Sequence, residues 1–301
     1  MSAVVTPGAP VRAQAGRATL AARSRAAALY ALMLLVALLA VFPLMWAIST
    51  SFKDPRRVLT LPPQLIPDPF VPENYLEIFR VVPFHLFIWN SVKVTLFVLV
   101  LRLLACSLAG YSFARLRTPG RDVIFGILLA SLMVPGALAI IPRYMIYQQL
   151  GWIDTHLSIV VAPAIANTFG TFLMRQYFMT LPKELEEAAL IDGATHPQIF
   201  ARVMLPLAGP ALAALAIFTF TTSWNSFLEP LVYLRSVDLL TIPPGLSFFG
   251  RGSTNYATAA APPSYNLIMA GSVVAVIPTI AVFLVFQRYF TRGIAMTGLK
   301  G

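Results

Sequence analysis

Six predominantly apolar runs, at 26–48, 86–110, 121–142, 157–178, 207–232 and 267–287, set the limits on how this chain folds. A helix rises a fixed distance per residue and needs about 20 residues to cross the hydrocarbon core of a bilayer, and each run meets that length. With 58% apolar and only 11% charged residues, the chain lies far from the composition of a soluble globular domain. The expected architecture is an all-α membrane protein with six transmembrane helices. Pro135, Pro163 and Pro278 interrupt three runs. Kinks are expected there, since each proline frees a carbonyl that a neighbouring helix must satisfy.

Residues 1–25 are rich in Ala, Gly and Arg, carry no acid, and read as a disordered basic tail. A cleaved signal peptide is the competing reading of this end. The run at 26–48 exceeds the about 7 to 15 residues of a signal core, so it is expected to stay as the first span. Segment 49–85 is studded with proline and reads as a stiff outer segment with one short helix near 73–79. The core domain follows over 86–287, with a polar elbow at 180–206, and 288–301 forms a C-terminal tail. Of 22 Lys and Arg residues, thirteen fall in segments on the side of the N-terminus, seven in the opposite segments, and Lys93 and Arg102 within the second run. The positive-inside rule then puts both termini in the cytoplasm. The formal charge of +10 is spread over these short segments, so nucleic acid is set aside as a partner. Cys106, the only cysteine, lies within an apolar run, which excludes an intrachain disulfide and a thiolate metal cluster.

The elbow carries the densest local signals. Pro182 with Glu184, Glu186 and Glu187 marks a helix start, with acids at the positive end of the dipole. Gly193 supplies a left-handed position to end that helix. Thr195 and Gln198 stand at capping-box spacing, so a second helix is expected from His196 until Pro206 stops it. Its apolar stripe, Ile199, Phe200, Val203 and Met204, needs a cover, which points to docking on another protein.

The pattern E-A-A, three residues, G, nine residues, I, one residue, L-P is the signature of the membrane-spanning subunits of bacterial ABC importers. This chain resembles it at Glu187-Ala188-Ala189, Gly193, Val203 and Leu205-Pro206, with Val in the place of Ile. The resemblance implies a type I ABC importer transmembrane fold in the bacterial cytoplasmic (inner) membrane. It also implies coupling through Glu187, Ala188, Ala189, Asp192, Gly193, Val203, Leu205 and Pro206 to a cytoplasmic ABC ATPase dimer, which would carry the ATP and Mg. Gly110-Tyr111-Ser112-Phe113-Ala114-Arg115, Trp224-Asn225-Ser226-Phe227-Leu228-Glu229-Pro230 and the terminal Gly298-Leu299-Lys300-Gly301 look like the carbohydrate-importing branch, of the type of the second maltose permease subunit. In that type Gly298, Lys300 and Gly301 would reach the interface of the ATPase dimer. A homologous second permease and an extracytoplasmic solute-binding protein are further implied, the latter facing the loop at about 233–265.

Polar residues inside spans are expensive unless they face a bundle interior or a water-filled path. Thr219, Thr222, Ser223 and Ser226 share one helical face of the fifth run, with Asn225 and Glu229 near its outer end. Asn167, Thr168 and Thr171 form a shorter stripe in the fourth. Neutral hydroxyls and amides suit a polyhydroxylated solute, and Trp224 and Tyr265 could offer aromatic faces to a sugar ring. Interhelical packing is the competing reading of each. Arg102 lies deep in its run and needs a partner or the bundle interior.

The sequence contains no G-x-x-x-x-G-K-[ST] loop, so ATP binding by this chain is not expected. It has no H-E-x-x-H pair, and His85, His156 and His196 stand apart, so neither enzyme chemistry nor a metal site is expected. Two alternatives stay open: an importer of the same fold for a non-sugar solute, and a proton-coupled secondary carrier, which would need an intramembrane carboxylate relay beyond Glu229.

Overall fold

The computed structural model describes residues 12–251 and 264–297, with side chains over 25–250 and 264–286. It is built from helices, joined mostly by short turns apart from the long segment between Ser51 and Asn74. Helix α1 spans Arg12–Ser51, so the basic stretch at 12–25, expected as disordered, forms the first part of this helix. The apolar side chains of its span, such as Leu35 and Leu39, are exposed, and α1 packs along the final helix. Helix α2, Asn74–Val81, occupies the short helix expected in the proline-rich segment. The Asn74 Nδ2 donates to the Ser51 and Lys53 carbonyls at 2.8 and 3.0 Å, and Asn266 Nδ2 donates to Asn74 Oδ1 at 2.9 Å. This buried amide ladder fixes the end of α1 to both neighbours.

Helix α3, Phe84–Arg115, is the axis of the bundle. The third run does not form a single helix: α4, Arg121–Ala130, ends in a short turn through Met133, and a second turn from Gly136 leads into α5, Ile140–Gln149. The two arms meet at 97° across Val134 and Pro135. The proline forbids the αR backbone at Val134, which takes φ −85 and ψ 116. The fourth run is α6, Leu157–Ile165, and α7, Thr168–Thr180, parted at Ala166 and Asn167 just beyond Pro163. Asn167 restarts the helix by accepting the Gly170 N–H on its Oδ1 at 2.6 Å. A methyl group at Gly110 would lie 2.6 Å from Met174 Cβ, so α3 and α7 touch where only glycine fits.

The elbow comprises α8, Glu184–Ile191, and a second helix over 196–207. That second helix is α9, His196–Ile199, a π-helical turn over Phe200–Met204, and α10, Leu205–Leu207. Pro206 therefore does not stop it. The wider π turn relieves the clash of the proline ring with the preceding turn, and the bend of 78° comes only at Ala208. Helix α11 then covers Gly209–Trp224. Its 16 residues rise only about 24 Å, short of a full crossing of about 30 Å. The fifth run is completed after a break by α12, Leu228–Tyr233. Helix α13, Ile242–Arg251, lies within the segment at about 233–265 that was expected as a loop. Pro243 and Pro244 occupy its first turn, where missing N–H groups cost nothing, and Gly245 lets it close onto Phe87. Helix α14, Tyr265–Thr297, runs through Pro278 and past the expected end of the last span at 287.

Four helical segments are long and apolar enough to cross a membrane, and the two bent pairs, 121–149 and 196–224, bring the number to six if each counts as one. Buried apolar side chains gather in two clusters. One, at the end away from the elbow, centres on Phe84, Phe87, Tyr233 and Phe249. The other, at the elbow end, centres on Tyr111, Met174, Phe178 and Phe200. Beside the first, Asp154 sits at φ 59 and accepts the Arg235 and Ser236 N–H groups on Oδ1, both at 2.8 Å. Burial alone would raise its carboxyl, but the Ser236 hydroxyl, these N–H groups and the Arg235 charge bring it below its usual value.

Candidate functional site

Two places combine sequence-predicted residues with unusual chemistry: a cavity among the broken helices, and the elbow. The cavity holds about 420 Å³ between α3, α6, α11 and α12, within the about 300–1,000 Å³ of small-molecule sites. Of the residues predicted for a solute path, Asn167, Thr222, Ser223 and Ser226 line it. Ser226 lies beyond the end of α11, so it reaches the cavity from the break and not along a continuous helical face.

The other predicted path residues do not line it. The Thr168 hydroxyl pairs with that of Ser131 at 3.0 Å, and buried Thr171 donates to the Asn167 carbonyl. Thr219 is fully buried. Trp224 is buried, stacked on Phe220 and donating its Nε1 to the Ala275 carbonyl at 3.0 Å, so its ring offers no face to a sugar. Asn225 caps the end of α11 by donating to the Thr221 carbonyl, and Tyr265 stands in the first turn of α14 outside the cavity wall.

Charge distinguishes this cavity from the neutral one expected. Arg102 is 8% exposed and donates Nε and Nη2 to the Pro163 carbonyl at 3.1 and 2.6 Å, and Nη1 to Thr222 Oγ1 at 3.3 Å. In an unbroken helix the Pro163 carbonyl would meet the Asn167 N–H, but the break at Ala166 removes that partner and Arg102 takes its place. Arg143 does the same for the third run: Nη2 and Nε donate to Gly136 and Ala139 carbonyls at 3.1 and 3.3 Å, while Nη1 pairs with Glu229 at 2.7 Å. Both arginines thus mend irregular backbone. The sequence showed Arg102 and Glu229 but placed Arg143 in an outer loop, because the 97° bend folds α5 back toward the bundle.

At the elbow, Gly193 takes φ 81, and the end of α8 forms a Schellman motif: the Gly193 N–H donates to the Leu190 carbonyl at 3.0 Å and Ala194 to Ala189 at 2.9 Å. The Thr195 N–H donates to Gln198 Oε1 at 2.8 Å, as the spacing predicts. The stripe on the second helix is covered by this chain itself. Ile199, Phe200 and Met204 are buried in the elbow-end cluster, with Val203, Leu205 and Ala189 packed against it, and Phe200 lies 5.3 Å from the Tyr111 ring. That stripe is not a docking face. Among the residues the elbow leaves exposed are Glu187, Ala188, Asp192, Gly193 and Pro206 with Leu185, Leu190 and, 86% exposed, Ile191. Arg115, at the end of α3, ties the elbow down: it donates to the Phe178 and Leu181 carbonyls at 2.7 and 2.6 Å and pairs with Glu186 at 3.4 Å. Gly298, Lys300 and Gly301 lie outside the described residues.

Residues 73–296 match the family model described as binding-protein-dependent transport system inner membrane component. An arabinooligosaccharide transport system permease protein of Halalkalibacterium halodurans is 38% identical, over 88% of this chain and 93% of that protein. A lactose transport system permease protein of Rhizobium radiobacter is 34% identical over the same shares of the two chains. Among solved structures, a bacterial ABC transporter involved in the import of the acidic polysaccharide alginate matches with a TM-score of 0.79 at 25% identity, covering 95% of this chain and all of that one.

Proposed function

Because this chain belongs to the family of inner membrane components of binding-protein-dependent transport systems, we infer that it is the permease subunit of an ATP-binding-cassette importer and forms half of the path for a sugar or oligosaccharide. The chain is no enzyme in this reading. ATP is hydrolysed by a separate cytoplasmic ATPase dimer, a homologous second permease completes the path, and an extracytoplasmic binding protein delivers the solute. Both termini and the elbow face the cytoplasm, as the distribution of Lys and Arg supports.

The observation that carries the coupling is the elbow, a rigid helix pair anchored through Arg115 and Phe200 that presents Ile191 almost wholly bare beside Gly193. An apolar tip on a well-anchored polar segment is the form that a protein contact takes. ATP-driven closure of the ATPase dimer would move the elbow as a body, and the bundle would rock about the cavity. Mended breaks beside the cavity, at Pro163 and at 134–139, are where such rocking would be absorbed. The Arg143–Glu229 pair favours, as a second reading, a solute with a charged group, since a neutral sugar needs no charge beside it.

The test is uptake into proteoliposomes holding the chain with its co-purifying subunits and binding protein, using labelled arabinotriose, lactose and a sugar phosphate. Uptake that needs internal ATP supports the importer. Uptake that survives on a proton gradient without ATP overturns it in favour of a secondary carrier.

A further inference from the structure

The end of α1 away from the elbow carries the marks of a membrane–water boundary. Lys53 reaches back from beyond the helix to place its Nζ 4.3 Å from the centre of the Trp46 ring. Tryptophan rings and long cationic side chains take this level at the ends of membrane spans.

The proline-rich segment folds back onto this boundary. The chain leaves α1 after Ser51, yet the Ser49 hydroxyl, still within the helix, donates to the Leu65 carbonyl. Ser49 stands three residues past Trp46, a rise of about 4.5 Å, so Leu65 is held beside the span at the depth of the headgroups. Further contacts pin the two ends of the segment. The Arg57 Nη1 donates to the Asp68 carbonyl and the Val71 N–H to the Phe52 carbonyl, both at 2.8 Å, and the Phe52 ring stacks on Phe70 at 4.6 Å.

What the pinned segment presents is apolar. Leu59, Leu61 and Ile66 are 76%, 87% and 81% exposed. Pro62, Pro63 and Pro67, set among them, have no N–H to desolvate and keep the backbone stiff. Large bare side chains grouped on an ordered segment ask for a cover. The hydrocarbon core is excluded as that cover, because the remaining N–H groups of an irregular backbone would find no partner there. The headgroup layer still holds water and meets both needs, and a soluble partner would have to enter that layer to reach the neighbours of Leu65.

We propose that segment 58–67 is an interfacial anchor, with Leu61 and Ile66 set among the headgroups and upper acyl chains of the leaflet opposite the elbow. Apolar side chains on a segment lying in the interface bind at this boundary. The anchor would hold the end of α1 at a fixed depth while the rest of the bundle moves.

Nitroxide accessibility tests this on the chain as it purifies with its partners, in lipid nanodiscs. Cys106 is buried, so a thiol-reactive label goes to an introduced cysteine. Leu61→Cys and Ile66→Cys are compared with Leu39→Cys, an exposed position on the span of α1. A label in water collides more with a nickel chelate, and one in the bilayer more with oxygen. Labels at 61 and 66 are expected to favour oxygen over the chelate, though less than the label at 39. Collisions dominated by the chelate, or shielding from both agents by another chain, overturn the proposal. So does a chelate signal that is lost only when an extracytoplasmic binding protein is added, which would assign the patch to that protein. The depth of the labels is read whichever subunits co-purify, so this result and the importer assignment fail separately.

Discussion

The guanidinium of Arg102 grips the Pro163 carbonyl with two N–H groups while a third reaches Thr222, so one side chain of α3 joins α6 and α11 across the cavity. The contact exists because the fourth run is broken, and it explains how a deep arginine is tolerated without a carboxylate partner at hydrogen-bond distance.

Replacing Arg102 by Leu should strand the Pro163 carbonyl and cost about 1–3 kcal/mol, seen as a lower unfolding temperature in detergent with membrane insertion unchanged. Arg102→Lys should recover part of the loss, since a point-like ammonium reaches the carbonyl but not Thr222 at once. Equal stability of all three proteins would contradict this assignment.

At Gly193 no atom lies within 4 Å of where a Cβ would stand, so substitutions there act through the backbone at φ 81 and not through a clash. Ala and Val should each destabilise the end of α8 by about 1–2 kcal/mol, with Asn milder because it tolerates the left-handed region. Proteolytic cleavage between Lys183 and Ala194 should rise in the order Asn, Ala, Val.

Arg115 serves two carbonyls and Glu186, whereas Glu186 meets only Arg115 and the Tyr111 hydroxyl among the described residues. Arg115→Met should therefore cost about 2–4 kcal/mol, and Glu186→Gln about 1. A double-mutant cycle read from unfolding temperatures checks the ranking, and a larger loss for Glu186→Gln would reverse it.

For Asp154, whose carboxyl is held below its usual value, the stabilising contribution is present above the unfolded value near pH 3.8 and fades as pH falls through the lower folded one. The gap in unfolding temperature between wild type and Asp154→Asn should be constant from pH 7 to about 4.5 and shrink below about 4.

Local features were legible in the sequence. Gly193, the Thr195–Gln198 box and the short helix α2 follow from backbone preferences that neighbours in sequence decide. Coverage was not legible, because it is a property of distant pairs: what hides Phe200 is Tyr111, on another span. Nor could a search for acids find the partner of Arg102, since that partner is a carbonyl left open by a break. Helix α13 was hidden because prolines in a first turn look like prolines in a loop. Of the solute path, the residue types were readable, but only the breaks at Ala166–Asn167 and after Trp224 decide which of them meet the cavity.

The central claim is that the exposed tip of the elbow couples this permease to an ATPase. It is tested most directly by quantifying the subunits that co-purify with the tagged chain, wild type beside Ile191→Glu. The account predicts an ATP-binding subunit and a second permease with wild type, and in the variant loss of the ATP-binding subunit with the second permease retained. An ATPase that stays bound in full to Ile191→Glu, or its absence from wild type, would contradict it.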